Sequence, residues 1–515
     1  MQPVRRVLIV GGGTAGWLTA AYLARVLGAL QTQAVQIELV ESPEIASIGV
    51  GEGTFPSIKG ALSTIGISEA RFLRETHGTF KQGVKFVHWV RPPGAAGADH
   101  YFHPFSLPSQ RPGGTELLPY WLAGHAGEGA SFAASSTLQK HVVDARRGPK
   151  QAHDRDYHGS LNYAYHFDAA RFAQLLAQQA GSLGVTRRTA TIGQVELDER
   201  GHIAAVHTAD GQVLRADLYI DCTGFHALLI GRALGSPWRS VADQLFVDRA
   251  LAVQVPDARP GSPLASATIS TAHEAGWTWD IALQDRRGIG YVYSSRHGSE
   301  ADAEAVLRRY IGPALDTLNP RLLKLQIGYR EHQWVGNCVA VGLSAGFLEP
   351  LESSGIGLIE TAAYMIAHRF PFDGLFDDTA ASFNMMMRGR FERIVDFIKL
   401  HYAITQRRDS AFWVDNADPA SHSESLRALL RMWRHRPPHR LDFIADLEMY
   451  LTASWQYVLY GMEYPTQLNA QAQAALDRVD DARREFAMLN EVAALAVRDL
   501  PDHRALITQL CARTA

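Results

Sequence analysis

Three cysteines in 515 residues, Cys222, Cys338 and Cys511, are too few and too scattered for a disulfide framework or a paired-thiolate metal centre. That usage fits a reducing compartment, and no metal is expected. An excess of charge is also missing. Fifty basic against 53 acidic side chains leave a net charge of −3, so neither nucleic acid nor an anionic membrane surface is implied as a partner. No apolar run reaches membrane-spanning length, and no repeat or low-complexity tract appears. A strand begins within a few residues of Met1, which leaves no room for a signal peptide. The expectation is a soluble, cytoplasmic protein. Apolar material is plentiful, at 46 % of residues, and supports one large unit or several domains equally well.

The first fifty residues carry a nucleotide signature. Val7-Leu8-Ile9-Val10 is a short apolar run of the kind that forms a buried parallel strand. It ends in Gly11-Gly12-Gly13-Thr14-Ala15-Gly16, which satisfies G-x-G-x-x-G through Gly11, Gly13 and Gly16. Gly11 permits the tight turn, Gly13 lets a pyrophosphate approach the backbone, and Gly16 allows close helix–strand packing. Trp17–Leu27 reads as a helix whose leading amides, from Thr14 and Ala15 on, face the phosphates. A second strand, Val35–Glu41, ends in a carboxylate where such units accept hydrogen bonds from ribose hydroxyls. An exposed acid at a strand end is the ordinary alternative for Glu41.

Residues 195–222 alternate polar and apolar side chains, broken by turns at Glu199-Arg200-Gly201 and Asp210-Gly211. This antiparallel meander runs into Thr223-Gly224, and a later strand, Cys338–Val341, leads to Gly342, Ser344 and Gly346. The arrangement resembles the p-hydroxybenzoate-hydroxylase-like flavoproteins. The resemblance implies an α/β fold with α+β elements, a Rossmann-like FAD-binding architecture, and a turn at Gly342–Gly346 approaching the flavin. No second nicotinamide-type fingerprint is present. Reduced FAD is therefore expected from a separate NAD(P)H-dependent flavin reductase.

Four further places sharpen the resemblance to the flavin-dependent tryptophan halogenase family. Gly49-Val50-Gly51-Glu52-Gly53-Thr54 is similar to the family's G-x-G-E-x-T segment beside the flavin, which implies cofactor contacts at Gly49, Gly51 and Glu52. Phe80-Lys81-Gln82-Gly83 resembles the segment that holds its catalytic lysine. Trp277-Thr278-Trp279-Asp280-Ile281-Ala282 is close to its W-x-W-x-I-P signature, with Ala282 in place of proline. Glu349-Pro350-Leu351-Glu352-Ser353-Ser354-Gly355 is similar to its E-P-L-E-S-T-G segment.

Each of these residues also has an ordinary reading. Two indoles at i and i+2 share one face of an extended segment and suit a core or strand-edge pair; the resemblance makes Trp277 and Trp279 a flavin-side wall. A lysine is usually a solvated surface charge. The resemblance makes Lys81 the group that holds hypohalous acid by hydrogen bond, or reacts with it to form a haloamine. Extended alternation from Phe80 places Lys81, Gly83, Lys85, Val87 and Trp89 on one face. Glu352, before a helix read over Ile356–His368, suits the helix dipole; the resemblance makes it the second catalytic group. Ser354 and Gly355 then hold halide through backbone amides, as a helix start can.

Substrate is read from Asp99–Phe105, where the resemblance implies that His103 and Phe105 sandwich an indole. An aromatic loop packed on itself is the alternative. Dedicated free-tryptophan halogenases carry a Tyr-Tyr pair and a glutamate that clamp the amino-acid ends, and no adjacent Tyr-Tyr occurs here. The expected substrate is therefore a small indole-type arene more broadly, halogenated with FADH2, oxygen and chloride or bromide. The C-terminal third reads as helical, over Ser423–Arg434 and Ala472–Val497. Residues 1–380 are expected to form the FAD-binding domain with inserted substrate-side segments, and 381–515 a helical region capping the substrate side. Nothing in those helices decides for or against a homodimer. A flavin-dependent aromatic hydroxylase and a non-catalytic flavin-binding protein are the competing function classes.

Overall fold

The computed structural model describes residues 3–31, 34–44, 51–109, 115–259 and 261–513. Gly49 lies outside them. The chain forms two units, each assembled from three stretches. The first holds Met1–Gly78, Phe167–Val241 and Gln326–Glu392; the second holds Thr79–His166, Ala242–Leu325 and Arg393–Ala515. Among the described residues no helix is long and apolar enough to cross a membrane.

The first unit is the Rossmann-like α/β fold expected. The strand Arg6–Val10 is central, with Val7 opposite Ile37 on one side and Leu218 on the other, both in parallel register. Its four apolar residues are buried from both faces, so they need no polar alternation. Strands Gln36–Glu41 and Thr186–Thr189 extend the sheet one way; Leu218–Asp221, Cys338–Ala340 and the antiparallel edge Trp334–Val335 extend it the other. Helix Thr14–Val26 packs on helices Ala169–Ser182 and Ser354–His368. The meander read over 195–222 is a three-stranded antiparallel sheet over Ile192–Leu197, Ile203–Thr208 and Val213–Leu214, but its last strand as read, Leu218–Asp221, is not part of it and lies parallel to Arg6–Val10 in the main sheet. The buried Asp221 carboxylate ends its strand by accepting the amides of Leu229 and Ile230, each at 2.8 Å, and so caps a π-helical turn over Leu228–Ala233.

The second unit is built on a seven-stranded sheet. Its order runs Arg321–Lys324, Arg249–Pro256, Arg286–Tyr293, Gly276–Ala282, Thr268–Ala272, Gly83–Val87 and His100–Pro104. All neighbours are antiparallel except Thr268–Ala272 with Gly83–Val87. One face presents Leu251, Val253, Ile289, Tyr291 and Tyr293 to the helix Glu300–Ile311. The opposite face carries aromatic side chains. Phe86 stacks on Tyr101 at 4.7 Å, and Trp89 lies 6.3 Å from Trp277 and 5.5 Å from Trp413.

Two sequence readings change here. The alternation read from Phe80 to Trp89 is broken at Gln82. Thr79–Lys81 pairs with Ala164–Asp168, placing Lys81 opposite Ala164, whereas Gly83–Val87 pairs with His100–Pro104. Lys81 and Lys85 therefore belong to different strand pairings. The break needs glycine, because a Cβ on Gly83 would lie 2.3 Å from the His103 carbonyl oxygen. The helix read over Ala472–Val497 is two, Ala470–Ala474 and Val479–Asp499.

Trp279 owes its place to a second glycine. Gly290 sits opposite it across the strand pair, and a Cβ there would overlap the indole at 2.1 Å from Cζ2. Gly290→Ala is expected to lower the unfolding free energy by about 1–3 kcal/mol through overpacking, measured by urea denaturation. A change below about 0.5 kcal/mol, the usual range for neutral surface changes, would show that the indole is free to move.

Candidate active site

In the first unit the glycine loop is shaped as a phosphate cradle. Gly11 has φ +113°, and a Cβ on it would meet the Cys222 carbonyl oxygen at 2.2 Å. Gly16 lies against the Gly11 carbonyl, 1.9 Å from any added Cβ. Gly13 differs, since nothing lies within 4 Å of a Cβ built there. It is the N-cap of helix Thr14–Val26, and no side chain caps that helix. The amides from Thr14 onward thus start a helix beside open space, which fits a pyrophosphate. Glu41 lies at the loop, accepting from Arg187 Nε at 2.6 Å and from Trp17 Nε1 at 3.3 Å. Gly12 permits this, because a Cβ on it would sit 1.6 Å from Glu41 Oε2.

The other cofactor-assigned residues converge on the same unit. A Cβ on Gly342, where φ is +76°, would lie 2.7 Å from Ala15 Cβ, so the late turn does return to the glycine loop. The Ser344 hydroxyl is committed to structure, donating to the carbonyls of Asp221 and Val341. Gly346 makes room for Tyr329 and Phe391. Gly51 and Glu52 form a short strand with Gly53. Desolvation, with the Asp168 charge adding to it, pushes the Glu52 carboxyl up to about 7.

Glu352 closes a single 3₁₀ turn, Pro350–Glu352, and is 1 % exposed. The chain then passes through Ser353 in the left-handed region, φ +58°, and enters helix Ser354–His368 with no side chain capping its start. Ser354 is buried, and nothing lies within 4 Å of a Cβ built on Gly355. A helix start with room beside it is what a weakly hydrated anion requires. One turn further on, desolvation pushes the Glu360 carboxyl up to about 8 against a hydrogen bond with Ser57. The sequence reading passed over Glu360.

Lys81, His103, Phe105, Trp277 and Trp279 all belong to the second unit. Lys81 is completely buried, which overturns the surface-charge alternative. Its Nζ lies 5.3 Å from the centroid of the Phe105 ring. One imidazole, His166, lies within electrostatic reach of Lys81, and a second, His503, bonds the amide of the adjacent Phe80. Burial, then the nearby Lys81 ammonium and His503, holds His166 far below the usual imidazole range. Burial brings His503 down to about 4. Both rings are therefore neutral near pH 7. His103 is buried beside Phe397 and Tyr457, at 5.9 and 6.4 Å between ring centroids. The Asp99–Phe105 segment thus runs into the edge strand His100–Pro104 of the seven-stranded sheet, buried from Tyr101 to Phe105, and is not a surface loop. Trp277 and Trp279 are 1 % and 7 % exposed with rings 6.4 Å apart, on the sheet face they share with Phe86. Ala282 stays in the ladder opposite Arg287, and its carbonyl accepts the Thr79 hydroxyl at 2.7 Å.

Some participants had little sequence signal. His166 lies in strand Ala164–Asp168, and its neutral state comes from burial, which no local pattern shows. His503 follows Asp502, a helix N-cap whose side chain accepts from Ala505; that spacing marks a helix start and says nothing of a partner over 400 residues away.

These features define a flavoprotein fold with a buried lysine in its second unit. A family model described as tryptophan halogenase matches residues 6–478. The chain is 36 % identical over 433 residues to tryptophan 7-halogenase RebH of Lentzea aerocolonigenes, covering 81 % of this chain and 79 % of that one. It is 32 % identical to tryptophan 6-halogenase SttH of Streptomyces toxytricini, covering 96 % of each. A solved tryptophan halogenase from Shewanella frigidimarina superimposes with a TM-score of 0.94 at 40 % identity, covering 99 % of this chain and 98 % of that one. The chain belongs to the tryptophan halogenase family, enzymes that use reduced FAD and a halide.

The open space over Gly13 gives a test of the cradle. Gly13→Ala is expected to leave the melting temperature of the cofactor-free protein unchanged while weakening FAD binding at least tenfold, read by flavin fluorescence titration. Unchanged FAD affinity would show that the pyrophosphate lies elsewhere.

Proposed function

We propose that this protein halogenates an indole-type arene by electrophilic aromatic substitution, with Lys81 and Glu352 as its catalytic residues. The observation that carries the reading is Lys81, fully buried over the Phe105 ring and within the segment that resembles the family's catalytic-lysine motif; Lys150 and Lys399 are buried over rings as well, but stand outside any such segment. Burying a lysine is costly, and one retained in this way points to chemistry.

Bound FADH2 supplies, with oxygen, the oxidising equivalent that turns halide into hypohalous acid. A flavin reductase using NAD(P)H delivers the reduced cofactor. Gly11, Gly13, Thr14, Ala15, Gly16 and Glu41 hold its nucleotide part, while Gly49, Gly51, Glu52, Gly342, Ser344 and Gly346 serve the flavin part. The amides at Ser354 and Gly355 hold the halide. Trp277 and Trp279 wall the flavin off from the arene, which would otherwise be hydroxylated.

Lys81 Nζ donates a hydrogen bond to the oxygen of HOX, or is itself halogenated. Along the first route the arene carbon attacks the halogen, the C–X bond forms, the O–X bond breaks, and the departing hydroxide takes a proton from the Lys81 ammonium and leaves as water. Glu352 takes the ring proton. His103 and Phe105 stack on the indole and fix which carbon faces Lys81.

Substrate breadth follows from the second unit's polar groups. Glu448 is bound to Arg393 Nε at 2.6 Å, with both side chains largely buried. Arg393 also pairs with Asp396 at 3.0 Å and lies 5.2 Å from the Trp455 ring. Releasing Glu448 to bind a substrate amine would break this largely buried ion pair and leave Asp396 as the guanidinium's remaining carboxylate. This favours indole and its derivatives over free tryptophan alone.

The test combines the protein with FAD, a flavin reductase, NADH, indole, and bromide or chloride, read by mass spectrometry. Halogenated indole is expected, and Lys81→Ala should lose on the order of 100-fold or more of that activity with FAD binding intact. Glu352→Gln should lose a similar factor while still releasing hypohalous acid. A halide-independent gain of one oxygen would instead establish an aromatic hydroxylase.

A further inference from the structure

We propose that His503, on the last helix of the chain, is a positioning residue that sets the place of Lys81. This rests on the catalytic reading of Lys81. The strand that carries Lys81 is only three residues long, Thr79–Lys81, too short to fix a side chain through its own ladder. Both neighbours of Lys81 are instead tied down by side-chain bonds.

On one side, the Phe80 amide donates to His503 Nε2 at 3.1 Å, and the imidazole packs against the Phe80 ring at 6.0 Å. On the other, Gln82 Nε2 donates to the Arg147 carbonyl at 2.8 Å, and the Gln82 amide donates to the Ser266 carbonyl at 2.7 Å. Those two anchors are joined. Arg147 bridges Asp502 in antiparallel register, the Gly148 amide donates to the Pro501 carbonyl at 2.9 Å, and the His503 amide donates to the Arg146 carbonyl at 3.0 Å. One patch of backbone, Arg146–Gly148 with Pro501–His503, thus holds both flanks of the lysine.

The partners of His503 leave it a single tautomer. An amide N–H can only donate, so Nε2 must accept. The Leu264 carbonyl, 3.3 Å from Nδ1, can only accept, so Nδ1 carries the proton. The ring is fully buried, and protonating it would turn Nε2 into a second donor facing the Phe80 amide. Burial keeps it neutral. The last helix therefore supplies one acceptor to the residue before the lysine, at a ring whose other edge is also fixed.

Two substitutions separate this role from mere packing. His503→Asn can still donate to Leu264 from the Nδ1 position but is too short to reach the Phe80 amide. His503→Gln places an oxygen near the Nε2 position. With FAD, reductase, NADH, indole and bromide, His503→Asn is expected to lower kcat about tenfold, as loss of a buried acceptor of about 1.4 kcal/mol implies. KM for indole and NADH consumption should stay within twofold, and the missing product should appear as hypobromous acid caught by a soluble thioether. His503→Gln should recover most of the coupling. The proposal is overturned if His503→Asn couples like the parent, or if captured hypobromous acid and halogenated product fall together in both variants. Lys81→Ala, run alongside, separates the two ideas. Retained halogenation in that variant removes the catalytic reading, whereas its loss beside a normal His503→Asn removes only the positioning role.

Discussion

An ammonium with no access to water has to be compensated by its surroundings or it will not stay charged or in place. At Lys81 the Phe105 ring lies 5.3 Å from Nζ, and the nearby His166 is held neutral by burial and by that same ammonium. Much of the second unit is arranged around the same demand. The strand break at Gln82 turns the chain from one pairing to the next, and Gly83 lets the turn pass under His103. His166 is held between Thr268 and Thr79, whose own hydroxyl proton goes to Ala282. Polar atoms buried this deeply are expensive unless each is bonded. The bonds that Thr79, His166 and Thr268 make restrict the arrangement around the amine.

The first unit solves a different problem by different means. Its ligands are charged or carry an electron-rich ring system, and it meets them chiefly with backbone. Glycines remove side chains where the cofactor must come close, and two helix starts, at Thr14 and Ser354, have no side-chain cap. Side chains there act mainly on the protein, as when Ser344 ties the late turn to Asp221 or Arg187 holds Glu41. In the halide site proposed at Ser354 and Gly355 the donors are backbone amides, which the exchange of the family's threonine for serine leaves unchanged.

That contrast explains what could be read from the sequence. Glycine spacing, a strand of four apolar residues and a carboxylate at the next strand end are local patterns, and the Rossmann-like unit followed from them directly. Lys81, Glu352, His103 and the tryptophan pair were found only through motif resemblance, since nothing in composition distinguishes a buried lysine from a solvated one. The break after Lys81 was missed because alternation continues through Gln82 in the sequence while the hydrogen-bonding partner changes. His503 and the Arg393–Glu448 pair were invisible for the same reason: their meaning lies in partners brought together by tertiary structure. Phe80 and His503 are separated by 423 positions.

The interleaving of the two units has a consequence for how the molecule is made. Neither is a continuous stretch, and each closes only when its third segment joins. During synthesis the glycine loop and its strand emerge early, yet their sheet waits for Leu218–Asp221 and Cys338–Ala340. The second unit waits longer, until His503 has left the ribosome, and its aromatic sheet face is uncovered meanwhile. Contacts this distant in sequence make for slow folding and a long exposure to self-association. Yield in a foreign host should therefore depend on cooler growth and on chaperones that shield that face more than on the stability of the finished fold.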